Sequence, residues 1–188
     1  MKRCGWVKKQ DDLDRMYHDT EWGRPLHDEQ ALFELFCLES YQSGVSWLTV
    51  LHKRQAFNHV FKQYDIAKVA AMTDKELEFL LSDEAIIRHR GKLFATRNNA
   101  QQFLQIQKEF GSFDNYIWSF VKHHPINHKI NHYKDAPSQT ALSEQIAKEL
   151  KKRGFKYIGP TMIYSFMQAA GLVNDHEVEC SFNPNHTL

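Results

Sequence analysis

The sequence predicts an all-α fold, on three observations. Apolar residues recur at helical spacing in one segment after another, capping residues open several of those segments, and no run alternates apolar and polar residues as a half-buried strand would. There is no internal repeat and no Pro- or Gly-rich linker. The 188 residues therefore read as a single domain over 1–188, with or without a small subdomain sharing its core.

The elements follow in order. Asp28 can cap a helix running to about Glu39, with Leu32, Phe33, Leu35 and Phe36 on its apolar side. Continuing that side brings in Glu39, a carboxylate whose burial costs several kcal/mol unless something satisfies it. A second helix carries Trp47, Val50, Leu51, Phe57 and Phe61, and the two helices meet around Gly44. Thr73, with Glu76 three residues on, forms a capping box that opens a short third helix in "DKELEFLLSD". Ile86 and Ile87, then Leu93, Phe94, Phe103, Leu104, Ile106 and Phe110, outline a long or broken helix that Gly111 can stop. A turn or two more covers Phe113 to Phe120.

The stretch "HHPINHKINHYKDAPSQT", from His123 to Thr140, has turn residues and no periodicity, so it reads as an exposed loop. Its four histidines are solvated surface residues or, as in some His-rich tracts, metal ligands. Leu142, Ile146 and Leu150 then mark a helix ending in "KKRG". After "FKYIGP", Pro160 opens a last helix through Gly171, with Met162, Ile163, Phe166 and Met167 as its packing face.

Composition narrows the function. Hydrophobic residues at 42% and charged residues at 25% are ordinary globular values, whereas aromatics at 13%, with four Trp and seven Tyr, supply flat rings in plenty. A net charge of +1 gives no long-range field toward nucleic acid. Local basic patches remain, however: Lys151, Lys152, Arg153 and Lys156 in one, Arg88, Arg90 and Lys92 in another. The start, "MKRCGWVKK", lacks a signal-peptide core and no run of apolar residues is long enough to span a bilayer, so a soluble cytoplasmic protein with no membrane partner is expected. Three scattered cysteines, Cys4, Cys37 and Cys180, are thiols or metal ligands in a reducing compartment.

Three constellations carry chemistry. The turn between Gly154 and Gly159-Pro160 suits an anion, with a DNA phosphate the obvious candidate, because Gly159 lets backbone approach and free N–H groups point out of the helix start; a charge-capped αα-hairpin with a solvated face is the alternative. Cys4 and His18 near one end, with His176 and Cys180 four apart near the other, make a Cys2His2 set suited to tetrahedral zinc; otherwise they are separate buried residues. Trp6, Tyr17, Trp22 and Trp47 crowd around Glu39 in sequence. They are either core or a flat aromatic slot with one carboxylate at its edge, fit for a flat, cationic, hydrogen-bonding ligand.

Six stretches shift that balance. "RCGW", "YHDTEWG", "CLESYQSGVSW", "IIRHRGK", "LKKRGFKYIGPTMIYSFMQAAGLVNDH" and the final His-x3-Cys together resemble the bacterial 3-methyladenine DNA glycosylase I family, in order and over nearly the whole chain. The resemblance implies an all-helical helix-hairpin-helix enzyme of the bacterial cytoplasm, with its hairpin at about 141–171, that flips an alkylated base out of DNA, and a monomer is the default for an enzyme that scans DNA. It implies one structural zinc on Cys4, His18, His176 and Cys180, tying the ends together. It implies a base pocket of Glu39, Tyr17, Trp47, Trp22 and Trp6. Gln42 and Gly44 fall in the segment that enters alkylated double-stranded DNA, and Gly154, Lys156 and Gly159 lie where a phosphate is held. One local departure stands out: a segment like Gln-Gln-Ala-Gly-Leu-Ser-Trp is expected, and the chain has Tyr41-Gln42-Ser43-Gly44-Val45-Ser46-Trp47.

The implied reaction asks little of the protein. Adenine methylated at ring nitrogen 3 is positively charged, so its glycosidic bond is already weak and recognition can do most of the work. Glu39 then accepts hydrogen bonds from the amino edge of the cationic base. Asp175, in "VNDHEVEC", is the other acidic candidate, although it stands beside a zinc ligand of the implied set. No hairpin lysine is placed for a Schiff base, so a monofunctional enzyme leaving an abasic site is expected. Two rivals are a zinc-stapled DNA-binding protein without chemistry and a zinc hydrolase with an open metal position.

Overall fold

The computed structural model describes residues 1–8 and 10–184, and their structure is mostly helical. α1 spans Asp12–Thr20, α2 Glu29–Tyr41, α3 Trp47–Val60, α4 Ile66–Ala70 and α5 Asp74–Phe79. α6 spans Arg90–Phe110, α7 Phe113–Ser119, α8 Ala141–Lys152 and α9 Pro160–Ala169. Capping chemistry sets several starts. The Asp28 carboxylate accepts from Ala31 N at 2.8 Å to open α2, and Thr73 and Glu76 close the expected box at α5. Gly111, at φ +85, ends α6 in the left-handed conformation that glycine enters freely.

α2 is the axis of the molecule. It packs against α3, α6, α7 and α9, and its second half is buried on every side from Leu35 to Tyr41. Phe36 sits at the crossing, with the rings of Phe103, Phe113, Phe155 and Phe166 edge-on around it at 5.3–6.2 Å. A helix buried all round leaves no solvent face for a carboxylate, so Glu39 is inside because its helix is.

The structure corrects four expectations. The all-α class holds except for one parallel pair, β1 (Ile126–Asn127) with β2 (Val173–Asn174), two residues long. α1 and α4 were not anticipated: α1 is polar and capped by Asp11, and α4 is barely more than a turn. The 123–140 segment is not simply an exposed loop. It carries β1, buries Ile130, and is pinned where Glu177 Oε1 accepts from both Tyr133 N (2.9 Å) and Gly5 N (3.1 Å). Finally, Arg88, Arg90 and Lys92 make no basic patch, because the two arginines pair with Glu84 and Glu78 and Lys92 is buried.

The α8–α9 turn is held from below. Asn98 Nδ2 donates to Gly154 O at 2.9 Å, and Asn99 exchanges hydrogen bonds with the Lys156 backbone at 2.9 and 3.0 Å. Two side chains of α6 thus fix the backbone of a turn that exposes Lys151, Lys152 and Lys156.

Candidate active site

A cavity of about 300 Å³ opens between the ends of α1, α2 and α9 and the start of α3. Ser46 caps α3 by accepting from Thr49 N at 3.1 Å, which makes Trp47 the first helical residue and turns its ring into the cavity. Tyr17 arrives from α1, with its ring 5.1 Å from that of Trp47. Trp6 and Trp22 form an edge-to-face pair at 5.1 Å that also lines the cavity, together with Glu39. The five residues proposed from sequence as a slot are thus brought together.

Their polar atoms are left waiting. Glu39 Oε2, Tyr17 Oη and Trp47 Nε1 are all buried without a hydrogen-bond partner, a cost of about 1–3 kcal/mol each that native cores avoid. Burial pushes the Glu39 carboxyl up to about 8, and burial, followed by the nearby Glu39, holds the Tyr17 phenol well above its ordinary value. Two donors and one acceptor aimed into an aromatic-walled space form a complementary surface for a flat, polar-edged, cationic ring.

Sequence reasoning missed part of the lining. Tyr133, Ala136 and Pro137 from the 123–140 segment, and Ser165 and Gln168 from α9, complete the wall. The α9 residues flank Phe166 and Met167, one position before and one after, and being three apart they share a face of the helix. The loop residues carry no local signal, since a distant strand pairing places them. Asp175 also lines the cavity, but both its oxygens are engaged. Oδ1 meets His128 Nδ1 at 2.6 Å, and Oδ2 accepts from Tyr164 Oη at 2.5 Å and Gln168 Nε2 at 2.8 Å.

Behind Trp6 and Trp22 lie Cys4, His18, His176 and Cys180, all buried, with one donor atom of each within 4.8 Å of the others. Sγ of Cys4 and of Cys180 each stand 3.5 Å from His176 Nδ1, and Cys180 Sγ stands 3.6 Å from His18 Nε2. A tetrahedron with metal bonds of about 2.0–2.3 Å has edges of roughly 3.3–3.8 Å, so these separations fit one ion. The outward nitrogens are already committed, His18 Nδ1 to Asp19 at 2.8 Å and His176 Nε2 to Trp22 O at 3.1 Å, which leaves the inward lone pairs free. Hydrogen bonds from Cys4, then from His176 and His18, hold the Cys180 thiol far below its ordinary value against the effect of burial.

The residues proposed for nucleic acid fall on two segments, the α2–α3 loop and the α8–α9 turn. Gln42 lines the cavity, and Gly44, at φ +86 with open space about it, tips the α2–α3 loop. Gly159 caps α9 and a Cβ there would meet nothing, whereas Gly154 takes φ +92 at the far side of the turn. Lys156 is exposed between them.

Comparison with known proteins identifies the family. A family model described as methyladenine glycosylase matches residues 6–184. DNA-3-methyladenine glycosylase 1 of Escherichia coli strain K12 is 48% identical over 186 residues, 99% of each chain. 3-methyladenine DNA glycosylase I from Staphylococcus aureus, solved to explain 3-methyladenine recognition, superposes at a TM-score of 0.94 with 39% identity, covering 100% of this chain and 99% of that one. A variant of 3-methyladenine DNA glycosylase I in complex with 3-methyladenine superposes at 0.95 with 38% identity over 100% of both chains. With a matched model running from the first tryptophan of the cavity wall past the last cysteine of the cluster, the chain belongs to the methyladenine glycosylase family.

Proposed function

We propose that the protein removes 3-methyladenine from alkylated double-stranded DNA by hydrolysis of the N-glycosidic bond, leaving an abasic site. One observation carries this reading: the unpartnered Glu39, Tyr17 and Trp47 atoms around a cavity large enough for one base. Flipping a nucleotide costs a few kcal/mol, less for a damaged one. Stacking on Trp47 and Tyr17 returns about 1–3 kcal/mol, and cation–π attraction adds roughly 0.5–2 when desolvated. The Glu39 carboxylate accepts from the amino edge of the cationic base, whose charge favours the ionised form, and an entering base that offers no donor there gains no such bond. Water then takes the place of a leaving group that is already weakly held.

The α2–α3 loop and the α8–α9 turn supply the grip on DNA. The α8–turn–α9 unit acts as a helix-hairpin-helix element, with a phosphate at the α9 start between Gly154 and Gly159 and Lys156 beside it. The loop with Gln42 and Gly44 enters the duplex where the base has left. Cys4, His18, His176 and Cys180 would hold one zinc ion, which supplies a fixed tetrahedral anchor joining the two ends of a single domain. With every position filled by protein atoms, that role is structural. The protein works as a monomer in the cytoplasm and does not cut the strand.

Chromatography of bases released from methylated duplex DNA tests the reading. Wild type should free 3-methyladenine and Glu39→Gln much less of it. Binding of DNA with no base released would replace the glycosylase with the zinc-stapled binding protein. A strand break without added alkali would overturn the monofunctional assignment.

A further inference from the structure

The first turn of α6 holds two residues that the site as described leaves unused, and both run against local preference. Lys92 is only 5% exposed. Its ammonium donates to the carbonyls of Tyr41 at 2.9 Å and Ser43 at 2.5 Å, at the end of α2 and in the loop beyond. A buried lysine charge is costly unless such acceptors replace its water, and the negative end of the α2 dipole adds to their attraction. Gly91 stands one residue earlier, in the same first turn, where residues with a side chain are the better helix formers. A Cβ at Gly91 would overlap the hydroxyl of Tyr157.

Tyr157 shows the opposite anomaly. It lies in the α8–α9 turn at φ +55, a left-handed backbone that costs a non-glycine residue about 1–2 kcal/mol. A glycine thus occupies a helix and a tyrosine occupies a glycine conformation. One contact explains both: the Tyr157 side chain lies over Gly91 and edge-on to His89, the α6 cap, at 5.6 Å.

The two contacts hold opposite walls of one trough. A cavity of about 470 Å³ adjoins the base cavity, with Gln42, Ser43 and Val45 on one side and Tyr157, Gly159 and Thr161 on the other. Lys92 fixes the first wall and Gly91, through Tyr157, the second. We propose that Gly91 and Lys92 clamp these two segments at a set separation, which makes Lys92 and Tyr157 positioning residues for engagement of duplex DNA and not for recognition of the base. The inference rests on the reading that the 42–45 loop and the 154–159 turn both meet DNA. A loose separation would have to be ordered during binding, and that cost falls on duplex affinity. A free base uses neither wall.

The test compares wild type with Lys92→Met, Gly91→Ala and Tyr157→Gly, all as full chains. Duplex binding is read by anisotropy on DNA carrying a non-hydrolysable abasic analogue, and free 3-methyladenine binding by tryptophan quenching. The expected result is duplex affinity weakened about tenfold or more and KM on methylated duplex raised to match. The single-turnover rate at saturation and the affinity for free base stay within about threefold. Tyr157→Gly relieves its own backbone, so it reports even if Lys92→Met folds poorly. Duplex affinity within about threefold of wild type in the folded variants, or free-base affinity falling in parallel, overturns the clamp alone. Failure of wild type to bind the duplex overturns the DNA-facing reading and the clamp with it.

Discussion

Trp22 forms part of the base-cavity wall and also meets His176 edge-on, ring centroids 4.7 Å apart, while its carbonyl oxygen accepts the His176 Nε2 proton at 3.1 Å. Trp6 makes a like edge-on ring contact with His18 at 5.3 Å. The wall that faces the base and the shell around the cluster are therefore the same two rings.

Chelating the ion proposed for the Cys4, His18, His176 and Cys180 cluster should move two readouts. The free energy of binding a structural ion is folding free energy, and each kcal/mol lost lowers Tm by roughly 2–4 °C in a chain of this size. A slackened Trp6–Trp22 wall should also weaken binding of free 3-methyladenine, measured by fluorescence titration at a temperature where the chelated protein remains folded. An open, catalytic metal predicts the reverse: excision lost, with base affinity and Tm kept.

Glu39→Gln should change both activity and pH response. Losing a charge-assisted bond of about 1.5–3 kcal/mol lowers kcat/KM roughly 10- to 150-fold. The Glu39 carboxyl is raised to about 8 by burial, so the folded chain keeps a proton that the unfolded chain has lost. Its contribution to stability is complete below the ordinary glutamate value and is lost as pH rises through about 8. Denaturant titrations should show that slope in wild type and not in Glu39→Gln. In catalysis, kcat/KM should rise with pH toward about 8, because the carboxylate is the accepting form. The rise in kcat should fall at lower pH, because the cationic base stabilises the charged carboxylate.

Tyr17→Phe should separate stability from activity. It removes a buried hydroxyl that has no partner in the free protein, so Tm should rise by roughly 2–4 °C for about 1 kcal/mol gained. The same hydroxyl is one of two donors facing the base, so excision should fall about 5- to 10-fold. Thermal melts and base-release assays on one preparation decide it. Equal Tm and equal activity would remove Tyr17 Oη from the site.

Most of this site was legible because its parts lie on locally readable elements. The Asp28 cap and the run from Leu32 to Phe36 mark α2 and point to Glu39 as a carboxylate on its apolar side, although the burial of every residue from Leu35 to Tyr41 is what puts it inside. Trp47 follows a Ser46 cap, and Gly159-Pro160 announces α9. Tyr133, Ala136 and Pro137 were not legible. They reach the cavity through a two-residue parallel pairing across 47 positions and through Glu177, and neither leaves a periodic trace. Lys92 misled for a related reason: a lysine in the first turn of a helix, two residues after an arginine, reads as surface until its carbonyl acceptors, 51 and 49 residues away, are folded against it.

Asp175 stands in the wall of the base cavity, where a carboxylate could steady a sugar cation or orient water, but its contacts argue for a different role. His128, Tyr164 and Gln168 occupy both oxygens at 2.5–2.8 Å, joining the residue that precedes His176 to α9 and to the chain just after β1. A carboxylate so engaged holds the 123–140 wall and the His176 backbone in place. Asp175→Asn should therefore cost about 2 kcal/mol of stability, or roughly 4–8 °C in Tm, as charge-assisted bonds become neutral ones. Single-turnover release of 3-methyladenine well below Tm should stay within about threefold of wild type. Tyr164→Phe removes one of the same bonds and should show a smaller loss of the same kind. A hundredfold fall in release at unchanged Tm in Asp175→Asn would instead mean that the carboxylate acts on the reacting sugar, and that its three partners serve to aim it.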